Sequence, residues 1–192
     1  MDNKKKYFDI YSKLNNDKYR YDLGKNKFGK KCLFCIGVNP STATSEKTDT
    51  TITKLENITY RKGKAKNIEF EEKFDSFIML NIYPLRATNP KDLPEEIDFN
   101  SSKSVHNTNV AHILSLIDNN STIWAAWGNT INSRHWLKKC LKEIISNIQK
   151  EKKDIKWVKM GNLTVENEPQ HPSRVKYQKF TKYTKIKNIM NE

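Results

Sequence analysis

The sequence predicts an α/β domain in which helices cover both faces of a central, mainly parallel four-stranded sheet, forming a three-layer α/β/α sandwich. Short apolar runs alternate along the chain with segments of helical periodicity, and strands that alternate with helices pair in parallel through right-handed crossovers. The 192 residues, of which 36% are hydrophobic, suffice for one core and leave little room for a second. We therefore expect a single domain over residues 1–192.

Four apolar runs predict the strands of this sheet. None of them alternates cleanly between apolar and polar residues, which is typical of parallel strands that are covered on both faces. Each run is followed by Gly, Asn or Pro. The runs are CLFCIGV (32–38), SFIMLNIY (76–83), STIWAAW (121–127) and IKWVKM (155–160).

Helical periodicity predicts the elements between the strands. Over 137–148, six apolar residues keep a period of about 3.6 residues. A second helix includes 113–117, with Asn107 or Thr108 as its N-cap. The residues of the first stripe are Leu137, Cys140, Leu141, Ile144, Ile145 and Ile148.

Two further helices are predicted on either side of these. Asp49 or Thr50 would cap a helix that carries Ile52 on its apolar face, since Asp and Thr side chains accept hydrogen bonds from first-turn N–H groups. Residues 174–190 have aromatic and apolar residues on one side and lysines on the other, which predicts a final basic helix.

The charge of the chain predicts a polyanionic partner. Lys and Arg number 35 against 22 Asp and Glu, giving a formal net charge of +13. A composition rich in Lys, Asn and Ile is also typical of A·T-rich coding sequences, which accounts for part of the excess. The segment 173–192 nevertheless carries six basic residues and one acidic residue. Because clustered cations displace counterions from phosphates, we expect DNA or a nucleotide as the partner.

The remaining composition indicates a cytoplasmic protein without a membrane partner. No run approaches the roughly 20 apolar residues of a membrane span, and the amino terminus lacks the apolar segment of a secretion signal. Three cysteines, an odd number, fit a reducing compartment better than a disulfide framework. The sequence leaves the oligomeric state open.

Neither a metal nor another cofactor is expected. Cys32 and Cys35 are three residues apart on a predicted strand, so that their side chains project to opposite faces and cannot share one metal ion. Gly37 and Gly128 are isolated, and no glycine-rich phosphate-binding loop is present.

Polar segments follow the four predicted strands, at the point where each strand ends. Because ligands of open α/β sheets bind beyond the carboxyl ends of the strands, we expect these segments to line one cleft. Each segment alone is also an ordinary turn sequence. They are GVNPSTA (37–43), Asn81 with Tyr83, Pro84 and Arg86, Trp127-Gly128-Asn129, and His171-Pro172-Ser173.

The order of four motifs along the chain resembles that of the uracil-DNA glycosylase superfamily. The motifs are GVNPS, LN at the end of an apolar run, WG and HPS. The stretch from about residue 19 to residue 173, some four-fifths of the chain, more closely resembles the domain of unknown function 1643 family. The motifs that carry this resemblance are NPSTA (39–43), Asp49 with Thr51, LRATNPKDL (85–93), AAWG (125–128) and Pro169 to Pro172. The smaller family implies no activity, so any chemistry comes from the superfamily.

The superfamily resemblance implies hydrolysis of the N-glycosidic bond of a uracil-like or modified base in DNA. His171 matches the histidine that hydrogen-bonds the departing base, and Asn81 matches the asparagine that reads the base edge. Asn39 occupies the position that aligns the attacking water, where the most active uracil-specific members have Asp. Members similar to mismatch-specific glycosylases also have Asn there, so we expect a lower rate.

Two residues have both a functional and a structural interpretation. Asp49 is an alternative carboxylate for the reaction, or only a helix N-cap. Tyr83 would stack on an extruded base, which is worth roughly 1–3 kcal/mol, or it is a core residue.

Four residues are candidates for binding phosphate groups of the nucleic acid. These are Ser41, Arg86, Ser173 and Arg174. Arg86 would otherwise bind a base carbonyl, or form a salt bridge with the acidic middle of the chain.

Two other functions remain open. The amide at Asn39 favours a module that binds a nucleotide or nucleic acid without turnover. A hydrolase of free nucleosides or nucleotides would use the same cleft without needing the basic flanks.

Overall fold

The computed structural model describes residues 7–26, 28–101, 104–152 and 154–191. It is a mixed α/β structure whose strands are β1 (Lys13–Leu14), β2 (Tyr19–Arg20), β3 (Asp22–Lys25), β4 (Cys32–Gly37), β5 (Ser76–Asn81), β6 (Thr122–Ala125), β7 (Lys156–Met160) and β8 (Phe180–Lys182). Its α-helices are α1 (Thr50–Thr59), α2 (Val105–Leu116), α3 (His135–Glu151) and α4 (Ile186–Asn191).

The sheet has six strands in the order β3-β5-β4-β6-β7-β8, beside a small β1-β2 hairpin. Its four inner strands are those that the apolar runs predict, and they pair in parallel. The outer strands β3 and β8 are antiparallel to their neighbours, so the prediction of a four-stranded sheet is corrected to six. These strands have only four and three residues and lack the apolar runs of the buried strands.

Apolar residues cover both faces of the sheet. Ile52 and Leu55 of α1 pack against one face, in a cluster that includes Cys35. Residues of α2 and α3 pack against the other, and Cys32 adjoins that second cluster. The predicted opposite orientation of the two thiols is therefore confirmed.

Helix α1 begins as the sequence predicts. Asp49 is its N-cap, and Oδ1 of Asp49 accepts the Ile52 N–H at 2.9 Å. Since α1 follows β4 and returns the chain to the parallel strand β5, its first turn lies at the carboxyl edge of the sheet. This edge is where ligands of such sheets bind.

Two helix predictions are wrong in detail. Helix α2 begins at Val105, and Ser104 caps it by accepting the Asn107 N–H, so neither Asn107 nor Thr108 is the cap. The predicted helix over 174–190 is instead a turn, strand β8 and the short helix α4. Because Phe180 begins a strand that pairs with β7, this segment completes the sheet. None of the helices in the described ranges is long and apolar enough to cross a membrane.

Candidate functional site

A cleft of about 670 Å³ opens at the carboxyl edge of the sheet, between the segments that follow β4, β5, β6 and β7. Six of the nine site residues that the sequence predicts line it. They are Asn39, Ser41, Asp49, His171, Ser173 and Arg174.

The imidazole of His171 is held by Ser173. Nδ1 of His171 lies 2.8 Å from the Ser173 Oγ and accepts the Ser173 N–H at 3.3 Å. A backbone N–H can only donate, so Nδ1 carries no proton and the neutral ring has its proton on Nε2. No residue in the described ranges hydrogen-bonds Nε2, so the Nε2–H is available as a donor to a molecule in the cleft.

His171 is neutral at pH 7. Burial lowers the pKa of its imidazole from 6.5 to about 4. The carboxylate of Asp49 opposes this shift, whereas the positive charges of Arg174 and Lys54 add to it. The ring is therefore a neutral hydrogen-bond donor rather than a cation.

The side chain of Asn39 is fixed by two backbone carbonyl groups. Its Nδ2 donates to the Pro40 oxygen at 3.0 Å and to the Ala87 oxygen at 2.7 Å. Both amide hydrogens are used, which assigns the orientation of the amide and leaves Oδ1 as an acceptor. Since Asn39 lines the cleft, this oxygen is suited to orient a water molecule or to accept an N–H.

Asp49 is the N-cap of α1, which is one of the two roles that the sequence allows, and it also lines the cleft. The cap uses Oδ1, and no described residue hydrogen-bonds Oδ2. Thr50 and Thr51 of the first turn lie in the same wall. The partial positive charge of a helix N-terminus therefore adds to that of Arg174.

Gly128 allows the His171 segment to approach β6. Gly128 has φ +58°, and a Cβ built there would lie 3.3 Å from Cβ of His171. Its N–H donates to the Pro169 oxygen at 2.9 Å. On the preceding residue, Trp127 Nε1 donates to Glu168 at 2.9 Å. The Trp-Gly pair thus positions the chain that leads to His171.

Asn81 lies in the sheet next to the cleft and does not line it. Asn81 is fully buried, and its amide nitrogen and oxygen have no partner among the described residues. It pairs in register with Gly37, whose built Cβ would lie 3.9 Å from the Asn81 Oδ1. An unpaired buried amide is costly, by about 1–3 kcal/mol. Its role in reading a base stays a prediction.

Tyr83 and Arg86 lie outside the cleft. Tyr83 is buried, with its ring centroid 4.9 Å from that of Trp136, which is the core alternative that the sequence left open. Arg86 donates to the Ala43 oxygen at 2.9 Å, and its Nη1 lies 3.9 Å from Asp17 Oδ1. The acid near Arg86 therefore comes from the amino-terminal part of the chain and not from its acidic middle.

Sequence reasoning missed Arg20. Nη1 of Arg20 donates to the Ala43 oxygen at 2.8 Å. Arg86 donates to the same oxygen, so the two guanidinium groups share one carbonyl. Burial, and then the charge of Arg86, lower the pKa of Arg20 to about 10. The pair fixes the loop that carries Asn39. A single arginine gives no local pattern that would predict this contact.

A second cleft, of about 790 Å³, lies at the opposite edge of the sheet, near Lys30, Cys32 and Thr122. None of the nine predicted site residues lines it. Within the described ranges, no three His, Cys, Asp or Glu side chains are grouped as metal ligands. Asp22 and His112, which lie 2.7 Å apart, line this second cleft, whereas the predicted site residues that line a cleft all line the one at the carboxyl edge.

A family model, described as "Protein of unknown function (DUF1643)", matches residues 20–173. The match begins at Arg20 and ends at Ser173, so it includes every predicted cleft residue except Arg174. No curated protein matches the chain, and no solved structure matches it.

Replacing Asn39 by Asp should destabilise the fold rather than improve the site. A carboxylate at this position would face the oxygens of Pro40 and Ala87, which now accept hydrogen bonds. We expect Asn39→Asp to lower the free energy of unfolding at pH 7 by about 1–3 kcal/mol. Urea denaturation checks this, with Asn162→Asp as the control, since Asn162 is exposed and its side-chain amide has no hydrogen bond to the described residues. Unchanged stability of Asn39→Asp would contradict the assigned amide orientation.

The lowered pKa of His171 predicts how stability depends on pH. The His171 ring binds a proton near pH 6.5 in the unfolded chain and only near pH 4 in the folded chain. The contribution of the neutral ring to the free energy of unfolding is therefore fully present above pH 6.5 and is lost as the pH falls toward 4. We expect the wild type to lose up to about 1.4 kcal/mol per pH unit more than His171→Gln between pH 6.5 and 4. Parallel pH profiles of the two proteins in urea denaturation would refute a lowered pKa.

Proposed function

Since the chain belongs to the DUF1643 family, and since this family implies no activity, we propose a function from the geometry of the cleft. We propose that the protein hydrolyses the N-glycosidic bond of a uracil-like or modified base in DNA. This is the reaction of the uracil-DNA glycosylase superfamily, which the strand-end motifs resemble. The proposal includes kinship of the fold with that superfamily.

One observation carries the proposal. On His171, the Nε2–H of a neutral imidazole has no hydrogen-bond partner among the described residues, and on Asn39 the same holds for the amide Oδ1; both residues line one cleft. In N-glycosidic cleavage, negative charge develops on the leaving base and positive charge on the sugar. A donor fixed beside the base oxygen stabilises the first of these charges.

The remaining residues supply the other parts of the reaction. Water oriented by Asn39 attacks C1′ of the sugar, the bond from C1′ to the base nitrogen breaks, and its electron pair leaves with the base. The water proton is released, with the Asp49 carboxylate as the acceptor in the cleft wall. The same carboxylate also opposes the positive charge on the sugar.

The surroundings of the cleft favour an anionic ligand. Ser41, Arg174 and the first turn of α1 lie in its wall. Backbone N–H groups, hydroxyls and guanidinium groups bind phosphate oxygens and fix the register of a nucleic acid. The target nucleotide would have to leave the base stack to enter a cleft of this kind.

The geometry of Asn39 favours a second candidate, a module that binds the base without cleaving it. The Asn39 amide is held by two carbonyl groups and cannot act as a base. If no carboxylate in the cleft acts as the base either, the protein would bind the nucleotide without cleaving it. Under this alternative a nucleotide raises the melting temperature while no base is released.

Base release from oligonucleotides tests the proposal. Duplexes that contain uracil, a thymine mismatch or a hydroxymethylated pyrimidine are incubated with the protein, and abasic sites are then cleaved. We expect strand scission on at least one substrate and a loss of about 100-fold or more in rate for His171→Ala. His135→Ala, which removes an exposed histidine of α3, should keep the full rate.

Absence of scission on every substrate would reject the DNA base hydrolase, and a rise in melting temperature with the same oligonucleotides would then support the binding module.

The dependence on salt concentration distinguishes DNA from a small nucleoside as the ligand. Binding to DNA should weaken steeply as salt rises, whereas turnover of a free nucleoside should barely respond.

A further inference from the structure

Lys54 is a buried lysine that the proposed reaction does not use. It lies on α1 and is 7% exposed. Its Nζ donates to the carbonyl oxygen of Val175 and lies 4.6 Å from the ring centroid of Tyr177. Within the described part of the chain, no carboxylate forms an ion pair with it. A buried ammonium group is costly to desolvate, so a lysine held only by a carbonyl and a ring needs an explanation.

The carbonyl that Lys54 binds belongs to the turn that carries His171. The N–H groups of Arg174 and Val175 donate to the His171 oxygen at 2.9 and 3.2 Å. The turn from 171 to 175 is therefore closed by its own hydrogen bonds. Anchoring the Val175 carbonyl fixes the position of the His171 backbone.

The other end of this contact leads to the opposite wall of the cleft. Helix α1 carries Asp49 and Thr50 at its start, and both line the cleft. One turn beyond Lys54, Asn57 Nδ2 donates to the Tyr177 hydroxyl at 2.9 Å. The helix thus supplies one wall and, through Lys54, holds the segment that supplies the other.

We propose that Lys54 is a positioning residue, which fixes the His171 segment on α1 and thereby sets the imidazole opposite the first turn of that helix. This inference rests on the proposed function only in that His171 acts in the cleft. The buried charge has a second effect, since a cation near the ring disfavours the imidazolium form.

Three charged groups act on His171 from the elements around it. Asp49 at the start of α1 favours protonation, and Arg174 and Lys54 oppose it. Lys64 in turn acts on Lys54, whose pKa is lowered first by burial and then by that charge. Removing the charge of Lys54 should therefore raise the pKa of His171.

NMR titration of the His171 imidazole tests this without any need for base release. Lys54→Met removes donor and charge while keeping the chain's bulk, and Lys54→Gln keeps a donor but removes the charge. We expect both to raise the His171 pKa, because each removes a positive charge that disfavours the imidazolium form. In Lys54→Met we also expect a changed imidazole signal at high pH, where the ring is neutral. Tyr177→Phe removes the neighbouring hydrogen bond and keeps the charge, so it should leave the pKa in place.

An unchanged His171 pKa and signal in folded Lys54→Met would overturn the inference. If both Lys54 variants unfold, the wild type decides. The Lys54 side-chain resonances should then shift with the His171 midpoint, near pH 4, and shifts independent of that midpoint would contradict the proposal. Failure of the base-release assay with the expected pKa change would reject the reaction and leave the positioning role intact.

Discussion

The N–H of Ser173 donates to Nδ1 of His171 at 3.3 Å, and a backbone N–H has no alternative role. This contact determines the tautomer of the ring, and burial keeps that ring neutral. The ring donor that remains is the Nε2–H, which no described residue binds and which a ligand in the cleft can therefore use. The proposed chemistry depends on this donor, because a ring protonated at Nδ1 would present an acceptor to the leaving base instead.

The other half of the site depends on the loop after β4. Two carbonyl groups bind the Asn39 amide, and Arg20 and Arg86 hold the carbonyl of Ala43 in the same loop. A carboxylate could not replace Asn39 in this setting, since it would meet carbonyl oxygens where the amide donates. The negative charge of the site therefore comes from Asp49, which caps α1 and lines the cleft with the same side chain.

The parts of the structure that could be predicted from sequence are those with a local signal. Buried parallel strands are continuous apolar runs, and Asp49 is a recognisable cap, so both are confirmed. Short edge strands carry no such pattern, and the spacing of the aromatic residues around Phe180 is also that of a helix, which is why the sequence predicts a helix there. Arg20 and Lys54 bind carbonyls 23 and 121 residues away, so no local pattern could reveal them.

The tautomer of His171 at pH 7 is the most direct test of the central claim. Two-bond proton–nitrogen NMR spectra distinguish a protonated Nε2 from a protonated Nδ1 and from the imidazolium cation. We predict a neutral ring with its proton on Nε2 and an unprotonated Nδ1. A proton on Nδ1, or a charged ring at this pH, would contradict the arrangement of the cleft from which the proposed function is argued.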